Sequence, residues 1–155
     1  MRCHVSAIGR LRGGPEQTLI DDYADRFLRT GRGLGFSALS YYEAEAKKSD
    51  MAAEMPLLLK PLPHNATLIA LDERGKVMSS PEFAQLLSRV RDDGVSDLAF
   101  VIGGADGLHA DLRGQAQYKL SFGKMVWPHK LARVMLAEQL YRAVSILAGS
   151  PYHRD

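Results

Sequence analysis

The sequence predicts an α/β fold: a mostly parallel sheet flanked by helices. Three observations carry this. Short apolar runs bounded by turn residues alternate with stretches of helical periodicity, in the order strand, helix, strand, helix. Two of the runs, Ala66–Leu71 and Leu98–Ile102, are apolar almost throughout and read as buried strands. The 155 residues, 46% hydrophobic and 25% charged, suit a single domain spanning residues 1–155, with no repeat, low-complexity tract or linker.

Val5, Ala7 and Ile8 begin an opening strand that ends in the Gly9–Gly14 turn region. Pro15 suits a first helical position, and Leu19, Ile20, Tyr23, Phe27 and Leu28 follow at helical spacing until Gly31, Gly33 and Gly35 stop them. Phe36–Tyr42 reads as a second strand. Asp50–Leu59 reads as a short helix, stopped by Pro61 and Pro63. Ala66–Leu71 is the next strand, closed by an Asp72–Gly75 turn. Ser80, Pro81 and Glu82 offer a capping hydroxyl, a proline at the first position and an acid in the first turn. The helix they start puts Phe83, Leu86, Leu87 and Val90 on one face. Leu98–Ile102 then runs into the loop Gly103–Gly107.

A last helix, about His129–Ala148, carries Leu136, Leu140, Val144 and Leu147 on one stripe and Val134, Met135, Tyr141 and Ile146 on its flanks. Only Glu138, Gln139, Arg142 and Ser145 form a polar strip. So apolar a helix must be nearly surrounded, which in a chain this short points to a dimer interface. Arg133 falls on the apolar stripe, where an arginine is expensive unless it pairs or borders a site.

The lone Cys3 excludes an internal disulfide and reads as a small core residue. With no signal-like start and no stretch of about 18 apolar residues, the expected compartment is the cytoplasm and not a membrane. Net charge is +2, but residues 112–155 hold seven basic groups against two acids, which suits an anionic partner. The five histidines and one cysteine form no metal-ligand spacing, so no metal is expected. Neither a G-x-G-x-x-G nor a P-loop pattern is present, which disfavours dinucleotide and nucleotide-triphosphate enzymes. The Gly103–Gly104 loop, at the carboxyl end of a buried strand, is either a ligand loop or a plain tight turn. The tail Tyr152–His153–Arg154 is either frayed or suited to stacking on a base and gripping a phosphate.

Taken together, Phe100–Gly104, Leu120–Met125, Trp127–His129, Arg133–Val134, Ala137–Ala143 and Tyr152–Arg154 closely resemble the RlmH family. These are bacterial large-subunit ribosomal RNA pseudouridine N3-methyltransferases of the SPOUT superfamily. The match is dense over the last 56 residues, and the first half agrees in length and element order. The resemblance implies a C-terminal trefoil knot, an obligate homodimer, and S-adenosylmethionine as cofactor. Carried onto this chain, its cofactor contacts are Leu71, Gly103 and the segment Phe122, Gly123, Lys124, Met125, Val126 and Trp127. It also implies a catalytic tail. Tyr152 stacks on or orients the base, His153 accepts a proton or orients, and Arg154 meets a phosphate or the base carbonyl. The partner subunit's site is the one each tail would complete.

Ala105–Asp106 stands where the family often has Pro–Glu, and Lys130 where proline or glutamine often follows the histidine; both touch loop detail only. The expected activity is methylation of a pseudouridine in helix 69 of 23S rRNA on the assembled 70S ribosome. The rivals are a SPOUT methyltransferase for tRNA or another rRNA site, and a non-catalytic ribosome-binding factor.

Overall fold

A computed structural model of the chain describes residues 1–48 and 50–154; Ser49 and Asp155 lie outside the described residues. Along the chain run β1 (Arg2–Ile8), α1 (Pro15–Gly31), a short 3₁₀ turn, β2 (Ala38–Ala44), α2 (Met51–Leu59), β3 (Thr67–Val77) and α3 (Ser80–Asp92). They are followed by β4 (Asp97–Ile102), α4 (Ala110–Gln115), β5 (Tyr118–Ser121) and α5 (His129–Leu147). The strands form one sheet in the order β2-β1-β4-β3-β5, and every pairing is parallel.

Alternation along β4 splits the core in two. Leu98, Phe100 and Ile102 pack with Phe27 of α1, Phe83 of α3 and Leu136 and Leu140 of α5. Ala99 and Val101 face the other way, toward Leu58 of α2 and Leu112 of α4. A strand covered on both faces has no polar side to show, which is why its sequence is apolar throughout. Each large side chain so buried contributes about 1.5–3 kcal/mol. Cys3 is fully buried among these residues, and burial pushes its thiol up to about 12.

Several boundaries differ from the sequence reading. The second strand starts at Ala38, because Phe36 is used as a buried plug against Phe27 before the chain becomes extended. The third strand does not end at Leu71. Residues 72–75 bulge outward, with the Arg74 N–H donating to Asp72 Oδ1 at 3.0 Å. The chain then re-pairs with β5 through Lys76 and Val77. Gly75 makes this possible, since a Cβ there would lie 2.7–2.8 Å from backbone atoms of Lys119 and Leu120. The cap of α3 is Ser79, not Ser80: its Oγ accepts from Glu82 N–H, and Glu82 Oε2 accepts from Ser79 N–H. Ser80 instead donates its hydroxyl to Gln139 at 2.7 Å, tying α3 to α5.

Candidate active site

In an all-parallel sheet the loops after the strands gather on one edge, and here three of them meet the start of the last helix. A cleft of about 560 Å³ opens between the end of β3, the loop after β4, the segment after β5 and the start of α5. That size suits a small-molecule site. Leu71, Gly103, Phe122, Gly123, Met125, Val126 and Trp127 all line it. Lys124 is not in the lining; it is exposed between residues that are. Met125, Val126 and Trp127 are 73%, 84% and 42% exposed, an apolar wall largely open to solvent.

The glycine loop is both a tight turn and a wall of the cleft. A Cβ on Gly103 would stand 2.2 Å from the Gly107 carbonyl oxygen. The turn closes on itself, with Gly107 N–H donating to Gly104 O at 3.1 Å and Gly107 held at φ +81°. Beneath it lies Glu54 of α2, 5% exposed, which accepts the Gly104 N–H. Burial raises this carboxyl above its ordinary value, and the Gly104 N–H offsets part of that. The sequence reading missed Glu54; the available signal was one acid within the otherwise apolar stretch Met51–Leu59.

His129, the first residue of α5, also lines the cleft, with Nε2 3.2 Å from where a Cβ of Gly9 would stand. Burial, then the charges of Arg133 and Lys130, push its imidazole below the ordinary 6.5 and so keep it neutral at pH 7. The β1–α1 loop is fixed here by Arg133, which is 2% exposed and therefore did need a partner. Its guanidinium meets Glu43 at 3.1 Å and donates to the carbonyls of Ile8 and Gly9. Burial lowers the Arg133 pKa, and Glu43 works against that.

Tyr152 and His153 lie elsewhere, docked on the later turns of α5. The Tyr152 hydroxyl donates to Glu138 Oε1 at 3.0 Å, and its ring lies 4.5 Å from that of Tyr141. Arg142 donates to the same Glu138 oxygen at 2.6 and 2.9 Å and stands 4.7 Å from the Tyr152 ring. Its Nη1 meets His153 Nδ1 at 3.2 Å. A guanidinium only donates, so Nδ1 accepts and the proton of a neutral His153 sits on Nε2. Burial, followed by the Glu138 hydrogen bond and charge, pushes the Tyr152 phenol well up, so it stays a donor. Glu138 and Arg142 are thus a helix pair and the tail's anchor at once. Arg154 is exposed.

One chain does not bring tail and cleft together. At about 1.5 Å per residue, Glu138 is roughly 14 Å along α5 from His129. Glu138 borders a second hollow, of about 400 Å³, with Leu19, Tyr23, Val77, Met78, Phe83, Phe122, Val134 and Met135. The surplus apolar residues of α5 therefore divide. Leu136, Leu140 and Val144 are buried against the same chain, while Val134 and Met135 face this hollow. Among the described residues, no helix is long and apolar enough to cross a membrane.

Comparison with known proteins follows the same outline. A family model described as "Predicted SPOUT methyltransferase" matches residues 1–153. Ribosomal RNA large subunit methyltransferase H of Dinoroseobacter shibae is 62% identical over 155 residues, covering 99% of each chain. Its namesake in Ruegeria sp. is 59% identical with the same coverage. A solved structure described as a probable methylase family protein from Haemophilus influenzae shares the fold. It has a TM-score of 0.50 at 11% identity and covers 99% of this chain and 70% of that one. The chain belongs to the SPOUT methyltransferase family, among the relatives named ribosomal RNA large subunit methyltransferase H.

Proposed function

We propose that this protein methylates N3 of a pseudouridine in helix 69 of 23S rRNA, on the assembled 70S ribosome in the cytoplasm. It works as a homodimer of one-domain subunits, with S-adenosylmethionine in the cleft and the C-terminal segment threaded as a trefoil knot. The observation that carries the reading is the cleft at the carboxyl edge, in a chain matched end to end by large-subunit rRNA methyltransferases.

The donor set fits that cofactor. Backbone of the Gly103–Gly107 turn offers close approach, Leu71, Phe122, Met125, Val126 and Trp127 offer apolar cover, and neutral His129 adds no repelling charge. When bound, S-adenosylmethionine supplies an electrophilic methyl on a sulfonium sulfur. Charge is neutralised in such a transfer, so the chain's task is alignment and exclusion of water rather than charge stabilisation at sulfur. The acceptor N3 releases its proton to solvent water before transfer, and the lone pair so freed is what the chain aligns with the methyl carbon. Tail residues serve that end: Tyr152 orients the base, and His153, held by Arg142 through Nδ1, donates to a ring carbonyl flanking N3. Arg154 meets the developing negative charge or a neighbouring phosphate.

The dimer gains support from two features. The tail stands too far along α5 to reach its own cleft, and the apolar hollow beside Glu138 runs onto Phe122, a cleft residue. A partner subunit packed there brings each tail to the opposite cleft.

The test is transfer of a tritiated methyl from S-adenosylmethionine to 70S ribosomes, free 23S rRNA and bulk tRNA. Label on ribosomes alone, mapped to helix 69, is the expected result. Label on tRNA or at another rRNA site would replace the substrate assignment. No label anywhere, with no cofactor binding, would leave a non-catalytic ribosome-binding factor.

A further inference from the structure

Beside the cleft runs the β1–α1 loop, Gly9–Gly14. Its first residue is packed on His129, so Arg10 begins one residue from the cleft wall. Arg12 adopts φ +55°, a left-handed conformation that strains a residue other than glycine. That backbone leaves the Arg12 side chain 73% exposed and the Arg10 side chain 59% exposed. Both guanidiniums share one carboxylate, Glu45, at 3.9 and 3.1 Å, so the cluster keeps a net positive charge. Lys130 follows His129 across the loop, and exposed Lys124 lies in the segment after β5.

We infer that Arg10 and Arg12 form a phosphate-gripping rim that holds the RNA backbone flanking the target nucleotide over the cleft, with Lys124 and Lys130 completing the arc. The inference rests on the RNA-methylating reading above. Phosphate contacts position a strand without reading its sequence, which suits a rim beside a cleft that takes one nucleotide. A strained arginine in a glycine-rich loop fits a cation placed for a partner rather than for folding. Glu45 holds the two side chains together and yields them to a stronger polyanion.

The variant that isolates the charge is Arg10→Gln/Arg12→Gly. Glycine accepts φ +55° without strain, so the loop keeps its shape and the protein melts no lower than the parent. The charge-matched control is Arg29→Ala/Arg32→Ala, exposed at the opposite edge of the sheet. Methylation of 70S ribosomes is measured from 50 to 200 mM KCl, with cofactor affinity by calorimetry. The expected outcome is a fall in kcat/KM of about tenfold at the higher salt, carried by KM. The slope of log(kcat/KM) against log[salt] becomes shallower by about 1–2, and cofactor Kd is unchanged. The control stays at parent values. A rim variant with the parent's kcat/KM and salt slope overturns the inference. If the parent protein methylates no RNA, it is the underlying reading that fails.

Discussion

Replacing Gly103 with alanine adds one methyl group at the point where the cleft wall folds on itself. The new Cβ would stand 2.2 Å from Gly107 O and 2.5 Å from Gly107 C. Ordinary contact begins near 3.4 Å, so the turn must open by about 1.2 Å, and the atoms in the way are backbone. Overpacking of this kind costs about 1–3 kcal/mol. The free protein relieves it by moving residues 104–107, and rebuilding the binding shape costs the same energy again. At tenfold per 1.4 kcal/mol, S-adenosylmethionine Kd then weakens by about 5- to 150-fold. Calorimetric titration with the cofactor gives the number, and a thermal melt shows whether the fold survives. Gly114→Ala is the matched control: it lies in α4, and its Cβ meets nothing within 4 Å. Helix propensity there gains about 0.5–1 kcal/mol, so affinity is unchanged and Tm holds or rises. A Gly103→Ala protein that binds within twofold of the parent would refute the assignment of this turn to the cofactor wall.

Truncation after Pro151 removes the side chains that meet Glu138 and Arg142; methyl transfer to ribosomes is lost, while cofactor Kd in the same calorimeter stays within twofold. Arg133→Ala leaves Glu43 and the carbonyls of Ile8 and Gly9 without their donor, and costs about 3–5 kcal/mol in a urea melt. Asp97 binds Arg2 at 2.7 Å and buried His4 at 2.8 Å, and the Arg2 hydrogen bond foremost holds its carboxyl below the ordinary 3.8. A depressed carboxyl stabilises the fold above its unfolded value and ceases to as pH falls through the folded one. Stability measured across that acid window therefore falls less steeply in Asp97→Asn than in the parent.

What could be read from the sequence follows from how local each signal was. Leu98–Ile102 was legible because a strand buried on both faces writes itself as an unbroken apolar run. The helices of α1, α3 and α5 showed in their spacing. Two elements were not legible: α4 has six residues and a glycine at 114, and β5 has four with Lys119 among them. Neither is long enough to display a period. Residues 72–75 look like a strand terminus, and only the approach of Lys119 and Leu120 reveals them as a bulge. At the site, the cleft and tail residues came from resemblance to a family rather than from spacing. Glu54 escaped because its importance is that it lies under Gly104, a contact fifty residues away in sequence. Composition put the cationic character in the C-terminal quarter, and could not see that folding sets Arg10 and Arg12 beside it.

One helix carries both ends of the proposed chemistry: α5 begins at the cleft with His129 and anchors the tail at Glu138 and Arg142. It therefore acts as a ruler with an angular scale as well as a linear one. A single residue inserted between Arg133 and Glu138 would leave the helix intact and lengthen it by only about 1.5 Å, yet swing the anchor by about 100° around the axis. Leu140 and Val144 would leave the core by the same turn, so the packing of α5 and the direction of the tail share one register. The tail would be presented to the wrong side, and in this fold the count of residues in one helix sets the phase between two half-sites.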